Sequence, residues 1–196
     1  ERLFGLTNAQ GNHGEDVKEC YWHLDATPTH SYMEFLYRYP HRAFPYEALI
    51  AENARRGRGE PEFELVDTGV FEEGRFFDIT VTYAKADADD VLVRIEAVNH
   101  GPESAVLHVL PTVWFRNDWK WSEGAPVPSI VRESGIAVRA QHATLGERHV
   151  IFSDDPVLLF TENETNVERL YGVDAPGRYF KDGINEDTLV YRYFDG

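Results

Sequence analysis

At 196 residues the chain is long enough for one sizeable domain with a core of its own, so neither disulfide staples nor a structural metal is needed to hold it together. Its 34 acidic residues against 19 basic ones give a formal net charge of -15, which argues against a nucleic-acid backbone as partner and marks a solvated surface. The single cysteine, Cys20, cannot form an internal disulfide, which fits a reduced compartment, here read as the cytoplasm, and equally a secreted protein that does without disulfides; no apolar run is long enough to span a membrane.

The first residue is Glu1 and no signal peptide precedes it, so the chain reads as a piece of something longer. Residues 1–19, with three glycines and little periodicity, predict a shaped loop. Within it Asn12, His13, Glu15 and Asp16 crowd together and invite a metal or acid/base reading. Side chains of these types also cap turns, and His-x-Glu-Asp without a second ligand cluster lacks metal-site spacing, so no metal is expected. From Glu19 to Tyr39 the chain is rich in aromatic residues and interrupted by Thr27-Pro28, which predicts two strands. Pro45 can occupy a first helical turn, and the stretch Tyr46 to Arg56, ending before Gly57, is the one helix expected. Phe63, Leu65 and Val66 suggest a short strand before Asp67-Thr68-Gly69.

The stretch Arg75 to Phe115 reads as three successive strands. Phe77, Ile79, Val81 and Tyr83 alternate with Asp78, Thr80 and Thr82, and Val91, Val93, Ile95 and Ala97 repeat the pattern against Arg94 and Glu96. Asn99-His100-Gly101-Pro102 makes a turn. The third run, Ala105 to Phe115, is apolar on both faces, with Leu107, Val109, Val113 and Phe115 on one and Val106, Leu110 and Trp114 on the other. It is therefore expected to be covered on both sides, the second face by another sheet. Four further short strands are expected at Ile130 to Glu133, Ile136 to Ala140, His149 to Ser153 and Val157 to Thr161, and Thr188 to Phe194 reads as a last one. About ten strands with one short helix predict an all-β fold, a large antiparallel β-sandwich occupying residues 1–196 as a single domain.

For chemistry, there is no Gly-rich phosphate loop, no Gly-x-Ser-x-Gly elbow and no Cys-x-x-Cys, so no cofactor is expected. Eight histidines are scattered, and His108, among apolar neighbours, reads as a hydrogen-bonded core residue. The best binding candidate is Trp114-Phe-Arg-Asn-Asp-Trp-Lys-Trp121, where Arg116, Asn117, Trp119 and Trp121 offer aromatic faces beside Arg and Asn. Such a set stacks on a sugar ring or on a protein surface; the alternative is that one or both tryptophans of the loop plug the end of the core.

Several blocks carry a resemblance: residues 1–19 (ERLFGLTNAQGNHGEDVKE), Asp25-Ala-Thr-Pro-Thr-His-Ser-Tyr32, Leu36-Tyr-Arg-Tyr-Pro40, Phe44-Pro-Tyr46, Asp67-Thr-Gly-Val-Phe71 and Leu110-Pro-Thr-Val-Trp-Phe-Arg-Asn117. Down to about Tyr179 the chain resembles bacterial relatives of glycoside hydrolase family 63, often labelled glucosidases. The resemblance implies a supersandwich-like N-terminal domain of an α-glucosidase-like enzyme, whose catalytic part is a separate helical toroid in the same polypeptide. In that family the catalytic acid and base lie in the helical domain, so no residue here takes those roles. The expected partners are that helical domain and a carbohydrate, with Asn12, His13, Glu15, Asp16, Arg116, Asn117, Trp119 and Trp121 as contact residues. Two rival readings stand beside it, a carbohydrate-binding module presenting Trp119 and Trp121, and a sugar mutarotase or epimerase. The second rests on fold analogy alone.

Overall fold

The computed structural model describes residues 20–116, 119–121, 123–154, 156–161 and 166–174, and the chain divides into two compact units, Glu1–Val109 and Leu110–Gly196. In the first, four strands follow one another as an antiparallel meander: β1 (Cys20–Ala26), β2 (Tyr32–Pro40), β3 (Phe76–Asp87) and β4 (Asp90–Asn99). The β1–β2 turn is pinned by Thr27, whose Oγ1 accepts from the backbone N–H of Ser31 and Tyr32 at 3.0 and 3.2 Å. This local bonding explains why the chain reverses at Thr27-Pro28.

Period-two alternation then sorts the side chains by face. Phe77, Ile79, Val81 and Tyr83 of β3 stand opposite Tyr39, Tyr37, Phe35 and Met33 of β2, and opposite Asn99, Ala97, Ile95 and Val93 of β4. The intervening positions carry the charges: Asp78 is opposite Arg38, and Thr82 lies between Glu34 and Arg94. One face is therefore apolar and aromatic, the other polar.

The insertion between β2 and β3 covers the polar face at its β1 end. The helix α1 (Tyr46–Arg55) buries Leu49, 2% exposed, against Cys20, Leu65 and Val70, with Trp22, Phe44, Ile50, Phe63 and Phe71 around them. Cys20 and Trp22 pair with Arg38 and Leu36, which fixes the face on which the helix sits. Asn53 clamps the returning chain, donating from Nδ2 to the Phe63 carbonyl and accepting the Phe63 N–H at 2.9 and 2.7 Å.

The expected strand at Phe63 to Val66 is instead a 3-10 turn, Leu65–Thr68. Its polar side chains bond locally, Asp67 Oδ2 accepting the Glu64 N–H at 2.8 Å and the Thr68 hydroxyl donating to the Leu65 carbonyl at 2.6 Å, which closes a turn where a ladder would need those groups free. The third strand of the central stretch is absent as well, because residues 104–116 make no ladder. Pro111 lacks a donor, the Leu110 carbonyl accepts the Thr112 hydroxyl at 3.0 Å, and Val106 and Trp114 are 82% and 71% exposed rather than covered by a second sheet. His108 is exposed, not core.

The second unit holds a three-stranded antiparallel sheet, β5 (Ser129–Arg132), β6 (Ala137–His142) and β7 (Gly146–Ile151), and a one-turn helix α2 (Val167–Tyr171) that the sequence does not announce. No strand forms at 157–161, and the expected strand at Thr188 to Phe194 lies outside the described residues. The fold class is all-β with little helix, as the sequence predicts, with seven strands among the described residues rather than about ten.

Candidate functional site

The tryptophan stretch lies at the start of the second unit. Phe115 is its anchor: the ring packs on the imidazole of His142, at the end of β6, with centroids 5.2 Å apart and planes 31° apart. His142 is itself fixed, its Nδ1 accepting the backbone N–H groups of Thr144 and Leu145 at 3.2 and 3.3 Å. A ring held by its own turn gives the loop a rigid seat.

Beyond that seat the chain turns through a 3-10 segment, Trp119–Trp121. Trp121 is 76% exposed, whereas Trp119 is half-buried. The Arg116 guanidinium carbon stands 5.9 Å from the centre of the Trp121 ring, within cation–π range. Trp114, one residue before the anchor, is also exposed. The structure thus brings Arg116 and Trp121 together and leaves the indoles of Trp114 and Trp121 open to solvent, with Trp119 between them in the chain half-buried. Asn12, His13, Glu15, Asp16 and Asn117 lie outside the described residues.

Two polar clusters escape a reading by motif. On the polar face of the first sheet, Arg38 donates from Nε and Nη2 to the two oxygens of Asp78, both at 2.8 Å, and Asp78 Oδ2 lies 3.0 Å from His100 Nε2. The same guanidinium covers the Phe76 ring at 3.9 Å and lies 5.5 Å from the Trp22 ring. The hydrogen bonds to Asp78, with the attraction of its carboxylate, outweigh partial burial and push the Arg38 pKa up. This is a cross-strand staple between directly paired positions, and register alone could have revealed it.

In the second unit, His149 Nδ1 contacts Glu133 at 2.9 Å and Nε2 contacts Glu147 at 3.3 Å, while Arg139 reaches Glu147 at 3.3 Å. The hydrogen bond with Glu133 is the main cause that pushes the His149 pKa up, with Glu147 adding to it. Among the described residues no group of three His, Cys, Asp or Glu is placed to hold a metal ion, and no helix is long and apolar enough to cross a membrane.

Comparison with known proteins finds one relative of note. The chain is 35% identical to "Uncharacterized protein YMR196W" of Saccharomyces cerevisiae over an alignment of 222 residues that takes in 95% of this chain and 20% of that protein. The chain therefore spans about a fifth of the length of the relative it matches. No family model and no solved structure matches it.

Proposed function

We propose that this chain is a non-catalytic β-domain of a longer, glycoside hydrolase family 63-like protein of the cytoplasm, where it packs on a helical catalytic domain and helps to shape the substrate cleft. The observation that carries the reading is the open aromatic surface of Trp114 and Trp121 with Arg116 against the Trp121 ring, on a seat made by Phe115 and His142. Exposed indoles beside an arginine are what the centre of a domain interface or a sugar-facing rim uses. The blocks that resemble the hydrolase family supply the substrate class, an α-linked glucoside. The fivefold greater length of the yeast relative supports the presence of a further domain.

The test compares the isolated chain with the complete polypeptide on aryl and disaccharide α-glucosides. The expected outcome is no turnover by the isolated chain and measurable turnover by the complete polypeptide. A rate for the isolated chain that one carboxylate substitution abolishes would overturn the non-catalytic assignment. The exposure of Trp121 also favours a second reading, a carbohydrate-binding module, under which the isolated chain itself would quench its tryptophan fluorescence saturably on titration with glucose oligomers.

A further inference from the structure

Strand β4 pairs with β3 along one edge, and among the described residues nothing pairs with its other edge. All ten of its residues are exposed, the large apolar ones on both faces: Val91, Val93 and Ile95 on one, Leu92 and Val98 on the other. The backbone decides which of them can bond outward. The His100 N–H donates to the Phe76 carbonyl at 3.0 Å in the register that joins β3 to β4, so every second residue back from His100 turns its N–H and C=O toward β3. Val91, Val93, Ile95 and Ala97 turn theirs to the open edge, and an unpaired edge of this length is a template for another strand.

Edges are commonly guarded by charge, and β4 carries Arg94 and Glu96 side by side on one face. Opposite them on β3 stand Thr82 and Thr80, so the neighbouring strand sets no charge directly against either. One such charge would repel its own image in a second copy, whereas two of opposite sign, two residues apart, can match it. When two antiparallel β4 strands are related by a twofold axis, the residue on the axis fixes every pairing. With the axis on Arg94 or Glu96 like charges meet, on Val93 Glu96 meets Asp90, and on Ala97 Glu96 meets Val98. With the axis on Ile95, Arg94 meets Glu96 twice, Val93 meets Ala97, Leu92 meets Val98, and outward backbone groups meet outward ones. Arg94 already donates to Glu96 within its own strand, so this register joins two such pairs into a ring of four alternating charges. We infer that the open edge of β4 binds a second copy of this protein in that register, which continues one antiparallel sheet through both copies. The inference is independent of the hydrolase reading and uses a surface separate from the tryptophan stretch.

Charge reversal tests it, with sedimentation velocity on the complete polypeptide as the readout. The protein should be dimeric, and Arg94→Glu alone or Glu96→Arg alone should each raise the dissociation constant about tenfold or more, because like charges then face each other. The double variant, Arg94→Glu with Glu96→Arg, should restore the dimer, a rescue that misfolding cannot produce. Under mild oxidation Ile95→Cys, on the axis, should give a covalent dimer linked through position 95, and Val93→Cys, which faces Ala97 of the other copy, should not. A protein that stays monomeric at every concentration would overturn the inference, whether residues 104–116 of the same chain or nothing at all then covers the edge. A dimer indifferent to the single reversals would also overturn it, by placing the contact on another surface, and so would a double variant that fails to reassociate or equal cross-linking from positions 93 and 95.

Discussion

Arg38 and Asp78 offer a perturbation whose size follows from geometry. Both bonds of the fork are 2.8 Å long, and the side chains are 30% and 16% exposed, so the pair lies between the surface and the interior. Exposed ion pairs contribute about 0.2 to 1 kcal/mol, and breaking a buried one costs about 3 to 5 kcal/mol. Asp78→Ala leaves the guanidinium between the Phe76 and Trp22 rings without its carboxylate and removes the contact with His100, so a loss of about 2 to 3 kcal/mol is expected. Arg38→Ala should cost a similar amount, through lost packing on Phe76 as well as lost charge. Because the two side chains are direct partners, the double variant should cost less than the sum, with a coupling of about 1.5 kcal/mol. Urea titrations of the four proteins, followed by circular dichroism with the slope of the transition checked for constancy, measure this without screening the pair by salt. A coupling below about 0.5 kcal/mol would refute the reasoning, since the pair would then behave like any surface contact.

Two leucines should separate core from surface: Leu49→Ala, which empties a site 2% exposed, should cost about 2 to 5 kcal/mol in the same titration, and Leu110→Ala, 37% exposed, less than about 1 kcal/mol. The raised pKa of His149 means that the folded state favours its protonated form. The stability this gives is fully present below the unfolded value near 6.5 and lost as pH rises through the folded value, so His149→Gln should destabilise the protein at about pH 5.5 and have little effect at about pH 8.5 in thermal melts. Gly101→Ala would place a Cβ 2.5 Å from His41 Cε1 and 3.1 Å from Asn99 Oδ1, so the imidazole, tilted against the Phe77 ring with centroids 4.5 Å apart, must move; a drop of several degrees in melting temperature is expected, and an unchanged value would show that the turn gives way freely.

Local patterns proved readable where local forces decide. Period two in Phe77–Tyr83 and Val91–Ala97 gave β3 and β4 because each has a neighbour in the next hairpin arm, and the helix starts directly after Pro45 and ends at Arg55, where Arg56 turns to extended backbone one residue short of the expected end. The stretch 105–115 has a stronger apolar pattern than β4 yet forms no strand, since a ladder needs a partner that composition cannot name and Pro111 withholds a donor. The same limit applies to the site. The aromatic richness of the stretch 114–121 is visible in the sequence, but which of its rings stay exposed is not, and the seat under Phe115 depends on His142, brought in from another strand by the tertiary fold. Arg38 and Asp78, though visible as residues, meet only through register.

The claim that the tryptophan stretch serves contact rather than core is tested most directly by Trp121→Ala, made both in the isolated chain and in the complete polypeptide. With its ring 76% exposed, the substitution should move the melting temperature of the isolated chain by no more than about 2 °C, because surface changes stay within about 0.5 kcal/mol. In the complete polypeptide it should raise the Michaelis constant for an α-glucoside or weaken association between the domains. An isolated chain that unfolds on this change, with the kinetics of the complete polypeptide untouched, would contradict the account.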